Sequence, residues 1–262
     1  MTLPVTNQEI QAFYVARVLE DGDRLFVGAN LHVPRAGALY AHMTHAPNMK
    51  LSVGMVTTNL LNADLLEPTK FSTDYRVSRW AESIVIHNDI FERPQHCSDV
   101  FFVGGMQIDR FGNTNLIGIR DATGTLAVRG PGSLGTTTMA HYAKRYYIYA
   151  PTHSRSVFVE RCDYISTFGH GEGGDHRARL RLNQFNEGPR QVITPLGVLD
   201  FETPDHRMRL THVHPGVSVD EVIANTAFVL ALADSIDVTA TPSAAELSMM
   251  RERVDVEGTL RR

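Results

Sequence analysis

The chain has 262 residues, 43% of them hydrophobic and 21% charged, with a formal net charge of −4. That length suits one large α/β domain or two small ones and can bury a sizeable core. A mildly acidic chain without a basic stripe carries no nucleic-acid footprint, so an anionic ligand would need a local site. The opening segment MTLPVTNQEIQ has neither the charged nor the apolar region of a secretory leader, and no apolar run is long enough to span a membrane. A cytoplasmic protein that binds neither membrane nor nucleic acid is expected. Two cysteines, Cys97 and Cys162, leave room for a single disulfide but not for a disulfide framework, and reduced, partly buried thiols are expected.

Thr6 and Glu9 form a capping box, and Ile10, Phe13, Tyr14 and Val18 follow at helical spacing. Asp21–Gly22–Asp23 ends that helix in a turn, and Leu25–Phe26–Val27 reads as a short buried strand closed by Gly28. Pro34 suits the first turn of a second helix running to about His45, and Lys50–Val53 is a strand again. Helix and strand alternate as in a parallel sheet with covering helices. Ser83–Ile86, Val100–Val103 and Tyr146–Tyr149 are continuous apolar runs, as expected where both faces of a strand are covered. Gln191–Ile193 and Val198–Phe201 look more like a hairpin, and Ser218 with Glu221 and Ser243 with Glu246 cap two late helices. The expectation is a single α/β domain over residues 1–262, with an open, mostly parallel sheet.

Four segments have the residues for chemistry. In Gly104–Asn115 a strand runs into a double glycine and a turn containing Gln107, Asp109, Asn113 and Asn115, followed by a strand over Leu116–Ile119. Those side chains can hold a substrate oxygen, or they can bond the local backbone of a well-made turn. Arg129–Thr138 is a glycine-rich loop leading into a helix. It can aim backbone N–H groups at an oxyanion, or be only the turn before the helix. No Lys follows its last glycine, so it is not a Walker loop. Gly169–His176 holds two His and two carboxylates, but its spacing fits no standard zinc site and a flexible surface loop is the better reading. His212 and His214 would share one face of a strand, with Pro215–Gly216 ending it; the reading is structural and no metal is expected.

Together these segments resemble the β subunit of the family I coenzyme A transferases over most of the chain. The most specific match is Gln107–Ile108–Asp109–Arg110–Phe111–Gly112–Asn113–Thr114–Asn115, close to that family's Q-I-D-x-x-G-N-x-N pattern. Gly130–Gly135, Val192–Val198 and His214–Glu221 also look like its segments. The resemblance implies the fold of the CoA-transferase superfamily. It also implies an α-type partner subunit, an α2β2 assembly, an acyl-CoA substrate, and no cofactor beyond the coenzyme A carried by that substrate.

One departure outweighs the matches. In such transferases a β-chain glutamate after the second strand attacks the thioester. Here that position falls on Gly54 or Met55, and Val56, Thr57, Thr58 and Asn59 follow; Asp64 and Glu67 come later, beside Pro68. The gap resembles the branch of steroid ring-cleaving CoA hydrolases of the IpdAB type, in which the catalytic glutamate lies on the α chain. No catalytic residue is then expected on this chain. Its expected substrate-binding residues are Asn30, Arg93, Gln107, Asn113, Arg129, Gly132, Ser133, Gly135 and Thr136. The amides of Gly132, Ser133 and Gly135 are expected to hold a developing oxyanion, with Asn30 at the end of the first strand as a second candidate. Arg93 and Arg129 are expected to meet a substrate carboxylate. An ordinary CoA transferase subunit, a non-enzymatic sensor of related fold and a scaffold for the partner's site are the competing readings.

Overall fold

The computed structural model describes residues 4–28, 31–53, 57–58, 83–84, 88, 92–93 and 98–262. They form two compact units, one of residues 1–102 with 239–262 and one of residues 103–238.

The first unit contains α1 (Asn7–Arg17), β1 (Arg24–Val27), α2 (His32–Met43), β2 (Lys50–Val53), β3 (Thr57–Thr58), β4 (Ser83–Ile84) and β5 (Val100–Val103). Strand β1 lies between β5 and β2, parallel to both. β3 and β4 then add antiparallel neighbours beyond β2. The capping box at Thr6 forms as expected, each partner satisfying a free N–H of the other. Helices α1 and α2 meet through small residues. Ala12, Val15, Ala16, Ala36, Ala38 and Ala41 are buried, and Phe13 meets Tyr40 edge to face at 4.8 Å between ring centres. Gly37 permits this approach, since a Cβ there would press on the Ala12 carbonyl and lie 2.8 Å from the Val15 side chain. Of the expected strand Ser83–Ile86, Ser83 and Ile84 form β4 and are exposed rather than buried, while Val85 and Ile86 lie outside the described residues.

The second unit contains β6 (Gln107–Asp109), β7 (Thr114–Asn115), β8 (Gly118–Arg120), β9 (Leu126–Arg129), α3 (Thr136–Tyr142), β10 (Arg145–Tyr149), β11 (Phe158–Val159), α4 (His176–Arg179), β12 (Pro189–Ile193), β13 (Gly197–Asp200), β14 (Arg209–Val213), α5 (Val219–Ala224) and β15 (Ala231–Val238). Its main strands run in the order β15-β14-β13-β12-β10. β10 pairs parallel with β12 and β14 with β15, while β12-β13-β14 is antiparallel. The expected hairpin at Gln191–Phe201 is therefore present. The expected α/β class holds, with parallel pairs at β1–β2, β1–β5, β10–β12 and β14–β15, and β12, β13 and β14 run antiparallel because they are joined by turns too short for a crossover helix. β11-β6-β7 and β8-β9 form two small sheets of their own. In the first unit, α6 (Ala244–Met249) follows Ser243, whose capping box with Glu246 is complete. A π-helical turn over Met250–Val254 comes next, and Arg251 reaches back from it to the buried Glu9 carboxylate at 2.7 and 2.9 Å.

Candidate functional site

The Gln107–Asn115 segment and the glycine-rich loop, read from sequence as separate motifs, form one hydrogen-bonded piece. Asn115, fully buried at the end of β7, is its centre. Its Nδ2 donates to Gln107 Oε1 and to the Gly118 carbonyl, each at 2.7 Å. Its Oδ1 accepts the N–H groups of Ile117 at 2.9 Å and Gly118 at 3.3 Å. The Leu116 and Ile117 carbonyls are thereby turned towards the loop, accepting the Gly132 N–H at 2.9 Å and the Gly130 N–H at 2.8 Å. The strand expected over Leu116–Ile119 begins at Gly118, and the bond from Gly130 to Ile117 carries its pairing with β9 on into the loop.

Gln107 is 6% exposed and Asn113 1% exposed. Gln107 Nε2 donates to Asp163 Oδ2 at 3.1 Å, and its Oε1 accepts the Asp163 N–H at 3.0 Å. Asn113 donates to both Asp109 oxygens and to the Gly171 carbonyl, while its Oδ1 accepts the N–H groups of Gly169 and Gly171. Both amides are thus spent inside the protein. They pin loops rather than present groups to a ligand, which corrects their expected place among the substrate-binding residues. Burial raises the Asp109 carboxyl above its ordinary value, against the hydrogen bonds from Asn113 and Phe111 that lower it.

The loop itself is half-buried or exposed along its length. Gly132 (φ 95°) and Gly135 (φ 69°) adopt the left-handed conformation that favours glycine. Gly135 is the N-cap of α3 and supplies no side-chain cap. Because the Gly132 N–H is taken by Leu116, it is not free for an oxyanion. The N–H groups of Ser133 and Gly135 make no hydrogen bond among the described residues. Thr136 is held through its hydroxyl, which donates to the Ser133 carbonyl at 3.1 Å. Its backbone N–H returns to the same carbonyl at 3.0 Å. Leu134, at the tip, is 68% exposed.

The remaining expected residues are placed as follows. Arg129 is exposed on β9, opposite Gly118, and Arg93 is exposed in the first unit. Asn30 lies outside the described residues, as do Gly54–Val56, Asp64 and Glu67. Gly28 follows β1 at the C-terminal end of parallel strands, where ligands of open α/β sheets gather. The Gly169–His176 segment reaches the surface at Glu172, Gly174 and Asp175 but not at its start. Gly169, His170 and Gly171 are buried, because a Cβ at Gly169 would press on Gly112 and the loop packs directly on the Asp109–Asn113 turn. His170 stacks on His206 at 4.5 Å, and burial pushes its ring down to about 3, with His206 and Arg177 adding to the effect. His214 is committed to the Thr194 carbonyl at 2.8 Å. Among the described residues no three His, Cys, Asp or Glu side chains converge as metal ligands. The buried Cys162 thiol donates to the Asn113 carbonyl at 3.3 Å, and burial raises its pKa far above the ordinary value. No helix among the described residues is long and apolar enough to cross a membrane.

Residues 9–225 match the coenzyme A transferase family. The chain belongs to that family. It is 33% identical over 253 residues to the B subunit of the 3-oxoadipate CoA-transferase of Pseudomonas knackmussii, covering 94% of this chain and 92% of the relative. It is 29% identical to the cholesterol ring-cleaving hydrolase IpdB subunit of Mycobacterium tuberculosis, covering 95% of each chain. The crystal structure of glutaconate coenzyme A-transferase from Acidaminococcus fermentans superposes with a TM-score of 0.83 at 25% identity, covering 98% of each chain. The first relative is named as the B subunit of a CoA-transferase and the second as the IpdB subunit of a ring-cleaving hydrolase, and this chain is a β-type subunit of the coenzyme A transferase family. Two residues, Asn115 and Ser166, position this bonded piece. Asn115 was visible as the last residue of the Q-I-D-x-x-G-N-x-N pattern, whereas Ser166, which bonds Thr114 and Leu116, has no local signal.

Proposed function

We propose that this chain is the β subunit of a two-chain hydrolase that opens a ring of a cyclic diketone held as its CoA thioester, in the breakdown of steroids. One observation carries the reading. From Leu51 to Ala63 the chain has no carboxylate. β2 and β3 pair antiparallel, Val53 with Thr57 and Ser52 with Thr58, so the chain doubles back along β2 within that carboxylate-free stretch. A transferase needs a carboxylate nucleophile there to take the acyl group from coenzyme A. A hydrolase whose base sits on the partner chain does not. The 29% identity to the IpdB subunit supports the same reading.

In this reading a carboxylate of the α-type partner takes a proton from water, and the oxygen adds to a ring ketone. The tetrahedral oxyanion collapses, the neighbouring carbon–carbon bond breaks, and the departing carbon leaves as an enolate that is then protonated. The product gains one water, ends in a new carboxylate and keeps its thioester. Ser133 and Gly135 supply backbone N–H groups for the oxyanion, and Arg129, on the same unit, meets the carboxylate. Coenzyme A enters only as part of the substrate, and the working assembly is an α2β2 heterotetramer.

CoA transfer between carboxylic acids is the second reading, favoured by the 33% identity to a transferase B subunit. Co-expression with an α-type partner and incubation with a steroid-derived cyclic-diketone acyl-CoA in oxygen-18 water separates the two by mass. A product that carries one labelled water and retains coenzyme A supports ring hydrolysis. A product in which coenzyme A has moved to an added carboxylic acid overturns it in favour of transfer.

A further inference from the structure

We infer that Ser166 is a positioning residue for the Gly130–Thr136 loop, holding the peptide framework on which the Ser133 and Gly135 amides are presented. The inference rests on the proposed role of that loop. Ser166 lies 30 residues beyond Thr136 and is 2% exposed.

All of its polar groups converge on the loop's supports. Its hydroxyl donates to the Thr114 carbonyl at 2.9 Å and accepts the Leu116 N–H at 3.0 Å. Its N–H donates to the same Thr114 carbonyl at 2.8 Å. Its carbonyl accepts the hydroxyl of Thr137, with a longer contact from Thr136 at 3.5 Å. Ser166 and Asn115 thus hold successive peptide N–H groups, those of Leu116 and Ile117, from two directions. The Leu116 carbonyl in turn holds Gly132. Through Thr137, Ser166 also fixes the first turn of α3, and through Leu116 it fixes the middle of the loop. The segment carrying the Ser133 and Gly135 amides is therefore tied at both ends to one serine. Without its hydroxyl the Leu116 N–H loses its acceptor, and the loop that carries the two amides is free to shift. Donors aimed at a developing charge act only over a narrow range of positions, so such a shift lowers turnover more than binding.

The test uses the complex of this chain with its α-type partner, in wild-type, Ser166→Ala and Thr137→Val forms. Hydrogen exchange across residues 129–139 is measured beside steady-state kinetics with a cyclic-diketone acyl-CoA. Ser166→Ala is expected to speed exchange of the Gly130 and Gly132 amides by about tenfold or more. It is also expected to lower kcat about tenfold with KM changed less than about twofold. Thr137→Val, at an exposed position, removes a hydrogen bond from the Ser166 carbonyl and is expected to lower kcat about threefold with the same unchanged KM. A lower melting temperature with unchanged loop exchange and unchanged kcat would make Ser166 merely structural and overturn the inference. If Ser166→Ala does not assemble, Thr137→Val decides, and unchanged exchange and kcat in it overturn the inference. A wild-type complex that leaves the acyl-CoA intact defeats the proposed function instead, while the exchange comparison still decides whether Ser166 sets the loop.

Discussion

Gly132 donates its backbone N–H to the carbonyl of Leu116 at 2.9 Å, and that one bond fixes which amides of the glycine-rich loop remain for a ligand. Two residues earlier, Gly130 faces the same peptide, and a Cβ there would press on the Leu116 carbonyl and lie 2.7 Å from the Met106 sulfur. Gly130→Ala therefore pushes the loop off its support. Turnover is expected to fall about a hundredfold, a misplacement-sized loss, with the two-chain assembly intact by size-exclusion chromatography. Gly132→Ala meets open space and carries only the strain of its left-handed backbone, about 1 kcal/mol. A larger loss of activity in Gly132→Ala than in Gly130→Ala would contradict this ordering.

Ser133 is half-buried and its N–H is uncommitted among the described residues. Replacing it with a bulky residue, Ser133→Leu, is expected to cut turnover about tenfold or more while leaving the complex assembled. Undiminished turnover would remove the loop from the site.

Asn113 is the acceptor for two loop N–H groups and the donor to a buried carboxylate. Asn113→Ala leaves Asp109 and the Gly169–Gly171 backbone short of partners, and each orphaned group costs about 1–3 kcal/mol. A loss of at least about 2 kcal/mol is expected. Urea unfolding reads it as a lower midpoint with an unchanged slope. A midpoint equal to that of the unaltered chain would show that the network adds nothing to stability.

Two buried histidines set an acid limit. His153 sits between Thr194 and Thr226, whose hydroxyls lie 3.0 and 3.1 Å from its ring nitrogens, and it stacks on Phe158 at 3.9 Å. Burial pushes it down to about 4, as it pushes His170 to about 3, from the ordinary 6.5. Below pH 6.5 the unfolded chain takes up protons that the folded rings refuse. Stability is therefore full above that pH and is lost as the pH falls to about 4 for His153 and about 3 for His170. The loss is about 1.4 kcal/mol per pH unit for each ring. Asp109 acts with the opposite sign: its raised carboxyl favours the fold when protonated, and that contribution fades as the pH rises through its folded value. Thermal melting at pH 7 and pH 4.5 should show a marked drop at the lower pH, reduced in His153→Gln. Equal melting temperatures would mean that the rings are not held neutral.

Arg251 reaches from the C-terminal π-helical turn to Glu9, whose side chain is fully buried. Arg251→Ala strands that carboxylate, and breaking a buried pair in this way costs about 3–5 kcal/mol. Chemical denaturation of Arg251→Ala and Glu9→Gln/Arg251→Met should separate the cases, the paired replacement recovering most of the stability. Equal destabilisation in both would assign the effect to packing rather than charge.

Local pattern was sufficient for much of the framework. The Thr6 and Ser243 capping boxes, the strands at Leu25, Lys50, Val100 and Tyr146, and the hairpin at Gln191–Phe201 each follow from residues close in sequence, where capping, periodicity and turn chemistry act over a few positions. The missing carboxylate after β2 is likewise a fact of the sequence, and so is the Gln107–Asn115 pattern that marks the family. What Gln107 and Asn113 do was not legible. An amide that can meet a ligand and one that pins a loop look alike until burial and partners are known, and Asp163, Gly169 and Gly171 are 50 or more residues away from them. The same holds for the glycine-rich loop, where only the contact with Leu116 distinguishes the committed Gly132 amide from those of Ser133 and Gly135. The sequence determined the family, the short-range elements and the stretch after β2 without a carboxylate, because these depend on residue type and near neighbours. The tertiary structure alone decided which polar groups are spent and which are free, because hydrogen bonds between distant segments exist only once the chain has folded.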